Sequence, residues 1–445
     1  LFHREKKGSA SSQVKALKDL TRMQTAVQFL ADDRRQALLN KMREYSGLEE
    51  ARYESLCVIL IQNLVHYCQN LPETANSYYS QPGGLVDHAL NRTEAALDLF
   101  KDFLVLEKAD ELSEEQKLWQ YALYSAAVLQ GIGKLFIDYK IHLYDANGQL
   151  LKPWNPLIES LTQTGSYYDF EFQKEADVEF RRRLNIVLAK SLMPASGFSW
   201  IASNPQVLAI WLALLNEDQR SAGTLGAILI RADAIALQRY INEFMVRSTV
   251  NRTGRFGRAG TFSGGVPETL AEKEQAMGVE FIQWLTKSLE SGLIMINKAP
   301  LLMVPGGMLM SQEMFQFFIR EHPEYKNWQA VQNGFLSLGL HSKGIDGSAL
   351  SRFEQSHSQQ MHHGAVFSEY ALALPGSVEV HQISTGKVET MSAIELIHRA
   401  QYTSQFTQQQ NVIAVPPLQN LTATGQWQTL ASEASTLQLG MKRGV

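Results

Sequence analysis

Apolar side chains recur at three- and four-residue spacing through most of the first 245 positions, the period of amphipathic helices. The spacing predicts a helix over residues 13–45 and another over 49–70, the latter stopping at "NLPE". A loop rich in Asn, Ser, Tyr and Gly follows at 74–84, and Leu85–Leu106 is helical again. "SEEQKLWQYALYSAAVLQGIGKLFI" opens with a Ser113 cap and the acidic pair Glu114–Glu115. Its middle, "YALYSAAVLQ", is apolar on all sides, which predicts a central, buried helix. Turn signals at Asn147–Gly148 and two prolines break the pattern. Helix resumes over 172–193 and 205–215, then through "AGTLGAILIRADAIALQRYINEFM".

The pattern then changes. Residues 246–268 hold five glycines, four arginines and almost no large apolar residue, which reads as a linker. Beyond it lies an amphipathic helix ending at Gly292. "LIMIN", "LLMVP" and "GMLMS" read as short strands around a Pro305–Gly306–Gly307 turn. "MFQFFIREH" and "NWQAVQNGFLSLGL" read as helices, and "VFSEYALALPGSVEVHQI" as two strands around Pro375–Gly376. The expected fold class is mainly α: an all-helical domain followed by a smaller α+β domain of winged-helix-like type. The expected divisions are an N-terminal helical extension (1–48), a helical domain (49–245), a linker (246–268), the α+β domain (269–400) and a polar tail (401–445).

The composition narrows the function classes. With 445 residues, 45% hydrophobic, the chain can bury a sizeable core. Its 41 basic and 45 acidic side chains give a net charge of −4, which argues against a uniformly basic nucleic-acid coat. Cys57 and Cys68 are the only cysteines, too few for a structural zinc or a secreted disulfide scaffold. The sequence has no apolar run of about 18 residues and no apolar signal core at its start, so a soluble, cytoplasmic protein without membrane insertion is expected. The chain opens on Leu1 rather than Met, so residues before it are expected. Walker-type phosphate loops and Gly-x-Ser-x-Gly elbows are absent. "HSQQMHHG" (357–364) reads as a polar surface loop.

Two stretches carry a family resemblance: "LPETANSYYSQPGGLVDHALNRTEAALDLF" and, some forty residues on, "YSAAVLQGIGKL". With the later "RAD" they resemble the TraI-type relaxases of the MOBH class, found on conjugative plasmids and integrative elements. "FIQWLTKSLESGLIMINKAPLLMVPGGMLMSQEMF" and "HSKGIDGSAL" resemble that family's second domain, so the likeness covers roughly 50–400. The resemblance implies an HD domain, whose adjacent His and Asp join another His and a late Asp around divalent metal that activates water.

Carried over by position, the implied site is incomplete. His88 matches the first histidine and Asp233 the late aspartate. Gln130 and Gly131 stand where the His–Asp pair belongs, while Gly133 and Lys134 are kept. Tyr78, Tyr79 and Ser80 occupy the loop where the family often has imidazoles. Glycine offers no ligand and Gln only a neutral amide, so no metal cofactor is expected. The expectation is a non-catalytic, HD-like protein serving as adaptor or structural component in DNA transfer or type IV secretion, with conjugation or secretion proteins as partners. Two alternatives stand beside it. One is an active relaxase, nuclease or metal phosphohydrolase with other ligands. The other is a nucleic-acid-binding module contacting DNA through Arg247, Arg252, Arg255 and Arg258.

Overall fold

The computed structural model describes residues 14–104, 112–173, 177–253, 270–402 and 405–409. Helices Gly84–Leu104, Glu114–Leu129, Val178–Leu192, Pro205–Leu215 and Gln219–Thr253 carry much of the first half. Glu114–Leu129 is the central helix that its composition predicted, with every residue from Gln120 to Leu129 buried. Ser113 closes its start with a capping box: its hydroxyl accepts from Gln116 N, and the Gln116 side chain accepts from Ser113 N.

The first half is not all-helical, which corrects the expected fold class. A four-stranded antiparallel sheet lies within it, in the order Thr21–Arg22, Tyr167–Phe172, Tyr139–Tyr144, Leu150–Pro153. In Tyr139–Tyr144 the side chains of Tyr139, Ile141 and Leu143 are buried and Lys140 is exposed, the two-residue period of a strand. The turn to the next strand is built by Asp145, whose carboxylate accepts from Asn147 N and Gln149 N, both at 2.8 Å. The expected helix over 172–193 begins only at Val178, capped by Asp177. The expected helix over 13–45 is divided by caps at Thr25 and Asp32 into Ala26–Leu30 and Asp33–Ser46.

The second half is α+β, but its sheet is not the small hairpin of a winged helix. Six strands form it: Phe406–Gln409, Ser351–Gln355, Met361–Ser368, Gly307–Met310 and Leu301–Val304 in that order, with His341–Ser342 also paired to Met361–Ser368. A separate hairpin joins Ser377–His381 to Val388–Ser392. Successive residues of Leu301–Val304 alternate between two apolar clusters, Leu301 and Met303 in one, Leu302 and Val304 in the other. Both faces are therefore buried, which is why "LLMV" and "GMLM" are unbroken apolar runs. His362 and His363, expected in a loop, lie on the strand Met361–Ser368.

The two halves interlock. Tyr79, Leu237 and Ile241 of the first enter the core of the second, while Ile394 and Ile397 of the second enter the core of the first. Arg231 of the long helix donates to the carbonyls of Leu372 (3.4 Å) and Leu374 (2.6 Å). Among the described residues no single helix is long and apolar enough to cross a membrane.

Candidate functional site

The Gly-Gly pair of "QPGGLVDH" is a backbone requirement. Gly83 adopts φ +79°, and a Cβ on Gly84 would lie 1.9 Å from the carbonyl oxygen of Tyr79. The loop carrying Tyr78 and Tyr79 can therefore fold tightly onto the start of helix Gly84–Leu104. His88 follows one turn later, only 3% exposed. The Tyr79 ring stacks on the imidazole at a centroid distance of 4.8 Å and 18° between planes, and its hydroxyl donates to Ala236 O at 2.9 Å. Tyr78 meets the same imidazole edge-on at 5.9 Å. The tyrosines that stand where imidazoles were expected thus pack around the remaining one.

His88 and Asp233, matched from sequence, are brought together: Nε2 lies 2.9 Å from Asp233 Oδ1. Two further residues, not singled out in the sequence, complete the cluster. Arg92, one helical turn beyond His88, places Nη1 at 3.0 Å from the same Oδ1. Glu73, in the loop before the Gly-Gly pair, lies 3.6 Å from His88 Nδ1 and is ion-paired with Lys134. The four-residue spacing of His88 and Arg92 was a readable helical signal; Glu73 had none, because only the folded loop delivers it.

The position where the resemblance implies a His–Asp pair has its own structure. The helix ends at Leu129, Gln130 leaves it with ψ 131°, and Gly131 turns through the left-handed region at φ +73°. Arg92 caps this end, donating from Nε to Ala127 O (2.8 Å) and from Nη2 to Gln130 O (3.3 Å). A cation against the last carbonyls complements the helix dipole. Gly133 is held by close approach: its N–H donates to Asn185 Oδ1 at 2.7 Å, and a Cβ would lie 2.2 Å from Arg181 O. Gln130 Oε1 is buried with no hydrogen-bond partner among the described residues.

The electrostatics follow from burial opposed by pairing. Burial alone would raise the Glu73 carboxyl, but the Lys134 ammonium and His88 hold it far below the usual carboxylate range. Asp233 is likewise lowered against its burial by His88 and Arg92. His88 is raised, because Asp233 and Glu73 outweigh the desolvation that would lower it. The cluster holds carboxylates and cations in mutual neutralisation.

A divalent metal does not fit these residues. Asp233 and Glu73 contact opposite nitrogens of the His88 ring, so the carboxylates lie on opposite sides of the imidazole and do not converge on one lone pair. Arg92 and Lys134 already supply positive charge to those oxygens. Among the described residues no group of three or more His, Cys, Asp and Glu is placed to hold a metal ion.

Of the arginines proposed for nucleic acid, Arg247 and Arg252 fall on the helix Gln219–Thr253. Arg255 and Arg258 lie outside the described residues, as do most of the linker and tail.

The fold and the cluster define a chain of two interlocked halves with a neutralised ionic core at the motif positions. A family model described as "Putative helicase" matches residues 20–253, more than half of the chain. A second, described as "Putative conjugal transfer nickase/helicase TraI C-term", matches residues 276–385. The chain belongs to this TraI-type family. No curated protein matches it.

Proposed function

We propose that this chain is a non-catalytic member of the conjugal-transfer family, of MOBH-type ancestry, whose HD-type metal centre has become a structural ionic cluster. It acts by binding, as an adaptor or structural component of DNA transfer, with other transfer or secretion proteins as partners. The observation that carries this reading is the double replacement at the site. The His–Asp positions implied by the resemblance are Gln130 and Gly131 at a helix end, and the carboxylates beside His88, Asp233 and Glu73, are engaged by Arg92 and Lys134 respectively. Removing the cations' partners leaves charges buried, so the cluster contributes to holding the helices together.

The test is a cleavage assay on supercoiled and single-stranded DNA with the purified chain in Mg²⁺, Mn²⁺ and Fe²⁺. The reading predicts no nicking above a buffer control with any of them. Metal-dependent nicking that disappears in His88→Ala, with the fold intact by circular dichroism, refutes it.

A further inference from the structure

Residues 73–79 form a closed loop between the two halves. Its ends are tied by the Glu73 N–H, which donates to Tyr79 O at 2.8 Å. Inside it, Thr74 Oγ1 donates to Tyr78 O (2.8 Å) and accepts from Ser77 N (3.0 Å). A short loop closed on itself in this way is a compact unit of the Ω type, and its residues move together.

One side of the loop holds the ionic cluster. Glu73 is ion-paired with Lys134 and lies 3.6 Å from His88 Nδ1. Tyr79 stacks on the imidazole, and Tyr78 meets its edge. The other side holds the second half. Ser77 Oγ donates to Leu338 O, Gln275 Nε2 donates to Asn76 O at 3.2 Å, and both tyrosines pack in the second core. Leu338 ends helix Trp328–Ser337, and Gln275 lies on helix Leu270–Glu290. These two helices meet backbone to backbone, since a Cβ on Gly278 would lie 2.3 Å from Gly334 O. The loop therefore grips a rigid pair. A cavity of about 20 Å³, room for one water, lies at this seam beside Ser77, Tyr78, Gln275 and Leu338. Close packing is interrupted there, so the polar contacts of Ser77 and Asn76 hold the junction.

We propose that residues 73–79 are a strap that couples the ionic cluster to the seam between the halves, so that a change at either end is felt at the other. Glu73 and the two tyrosines fix the strap on the cluster, and Asn76 and Ser77 fix it on the second half. The Asn76–Gln275 contact is exposed, so a partner that displaces it reaches the cluster through the loop. By linkage the effect is equal in both directions. The inference rests on these contacts alone and holds whether or not the chain cleaves DNA.

The experiment is amide hydrogen exchange of the full chain, read by mass spectrometry, in Glu73→Gln. The substitution keeps the shape of the side chain and removes its charge. The expected result is exchange about tenfold faster over residues 334–341, the equivalent of one lost charged hydrogen bond, with helix Gln312–Glu321 unchanged as the reference. Unchanged exchange over 334–341 overturns the proposal. Equal acceleration of Gln312–Glu321 overturns it too, because the loss is then global. The reverse arm is Ser77→Ala, read by NMR of histidine-labelled protein with the His88 signal assigned from His88→Gln. The His88 ring protons should shift, because the Tyr79 ring stacked on them moves with the loop. Unshifted His88 resonances overturn the proposal. Ser77→Ala keeps every charge of the cluster, so this arm decides the matter even where Glu73→Gln fails to fold.

Discussion

Asp233 and Arg92 are joined across the core of the first half, carboxylate Oδ1 to guanidinium Nη1 at 3.0 Å, both side chains nearly buried. The pair ties helix Gly84–Leu104 to helix Gln219–Thr253, and the same guanidinium closes the end of helix Glu114–Leu129. One side chain thus serves three helices at the place where the family resemblance implies a metal.

Arg92→Ala removes that junction and leaves buried Asp233 with His88 as its one ion-pair partner among the described residues. A buried ion pair broken on one side costs about 3–5 kcal/mol. Urea denaturation of the variant should show a loss of that order. A loss below about 1 kcal/mol, the range of exposed pairs, would mean that the pair is solvated in solution.

Stability should fall on both sides of neutrality. Glu73 and Asp233 are lowered in the folded state, so their contribution is present above their ordinary values, 4.5 and 3.8, and is lost as pH falls through the lowered ones. His88 is raised, so its contribution is complete below its ordinary value of 6.5 and is lost as pH rises through the raised one. The denaturation midpoint should decline above neutral pH in the native chain. His88→Gln should flatten that alkaline limb, and an unchanged limb would assign it to other groups.

Gly133→Ala places a methyl 2.2 Å from Arg181 O, where only backbone can yield. Moving helix Val178–Leu192 to make room should cost about 1–3 kcal/mol. Calorimetry checks this, with Gly376→Ala as the control, because a Cβ at Gly376 meets nothing within 4 Å.

Arg231 is lowered to about 10 by its burial, and its described partners are the carbonyls of Leu372 and Leu374. Arg231→Met keeps the aliphatic stem and withdraws the donors. The expected outcome is faster amide exchange across 369–376 and a loss of about 1–3 kcal/mol for the carbonyls left without the guanidinium. Exchange confined to other segments would show that the halves are held together without this contact.

Much of the helical framework was readable because its signals are local. Ser113, the acidic first turn and the all-round apolar run at Tyr121–Leu129 each depend only on near neighbours. The hairpin Leu301–Met310 was readable for the same reason, its Pro305–Gly306 turn lying between two apolar runs. The sheet of the first half is hard to read locally: Tyr139–Tyr144 alternates in burial only as far as Leu143, Tyr167–Phe172 buries only Tyr168, each run is short, and the turn signals between them resemble a loop. Strand Thr21–Arg22 has only two residues and exists because Tyr167 and Tyr168 pair with it, so no local pattern foretells it. At the site, His88 and Asp233 were found by resemblance, and their contact at 2.9 Å agrees with a shared place. Arg92 and Glu73 were not found, since the charges that neutralise the pocket converge only in three dimensions.

The central claim is that this chain has replaced a metal centre with internal ion pairs. The most direct measurement is the metal content of the purified, unchelated protein by inductively coupled plasma mass spectrometry, repeated after incubation with Fe²⁺, Mn²⁺ and Zn²⁺ and gel filtration. The account predicts no stoichiometric metal in either sample, and none in Gln130→His/Gly131→Asp, because Arg92 and Lys134 still occupy the carboxylates. One equivalent of metal in the native chain, lost in His88→Ala or Asp233→Ala with the fold retained, would contradict it.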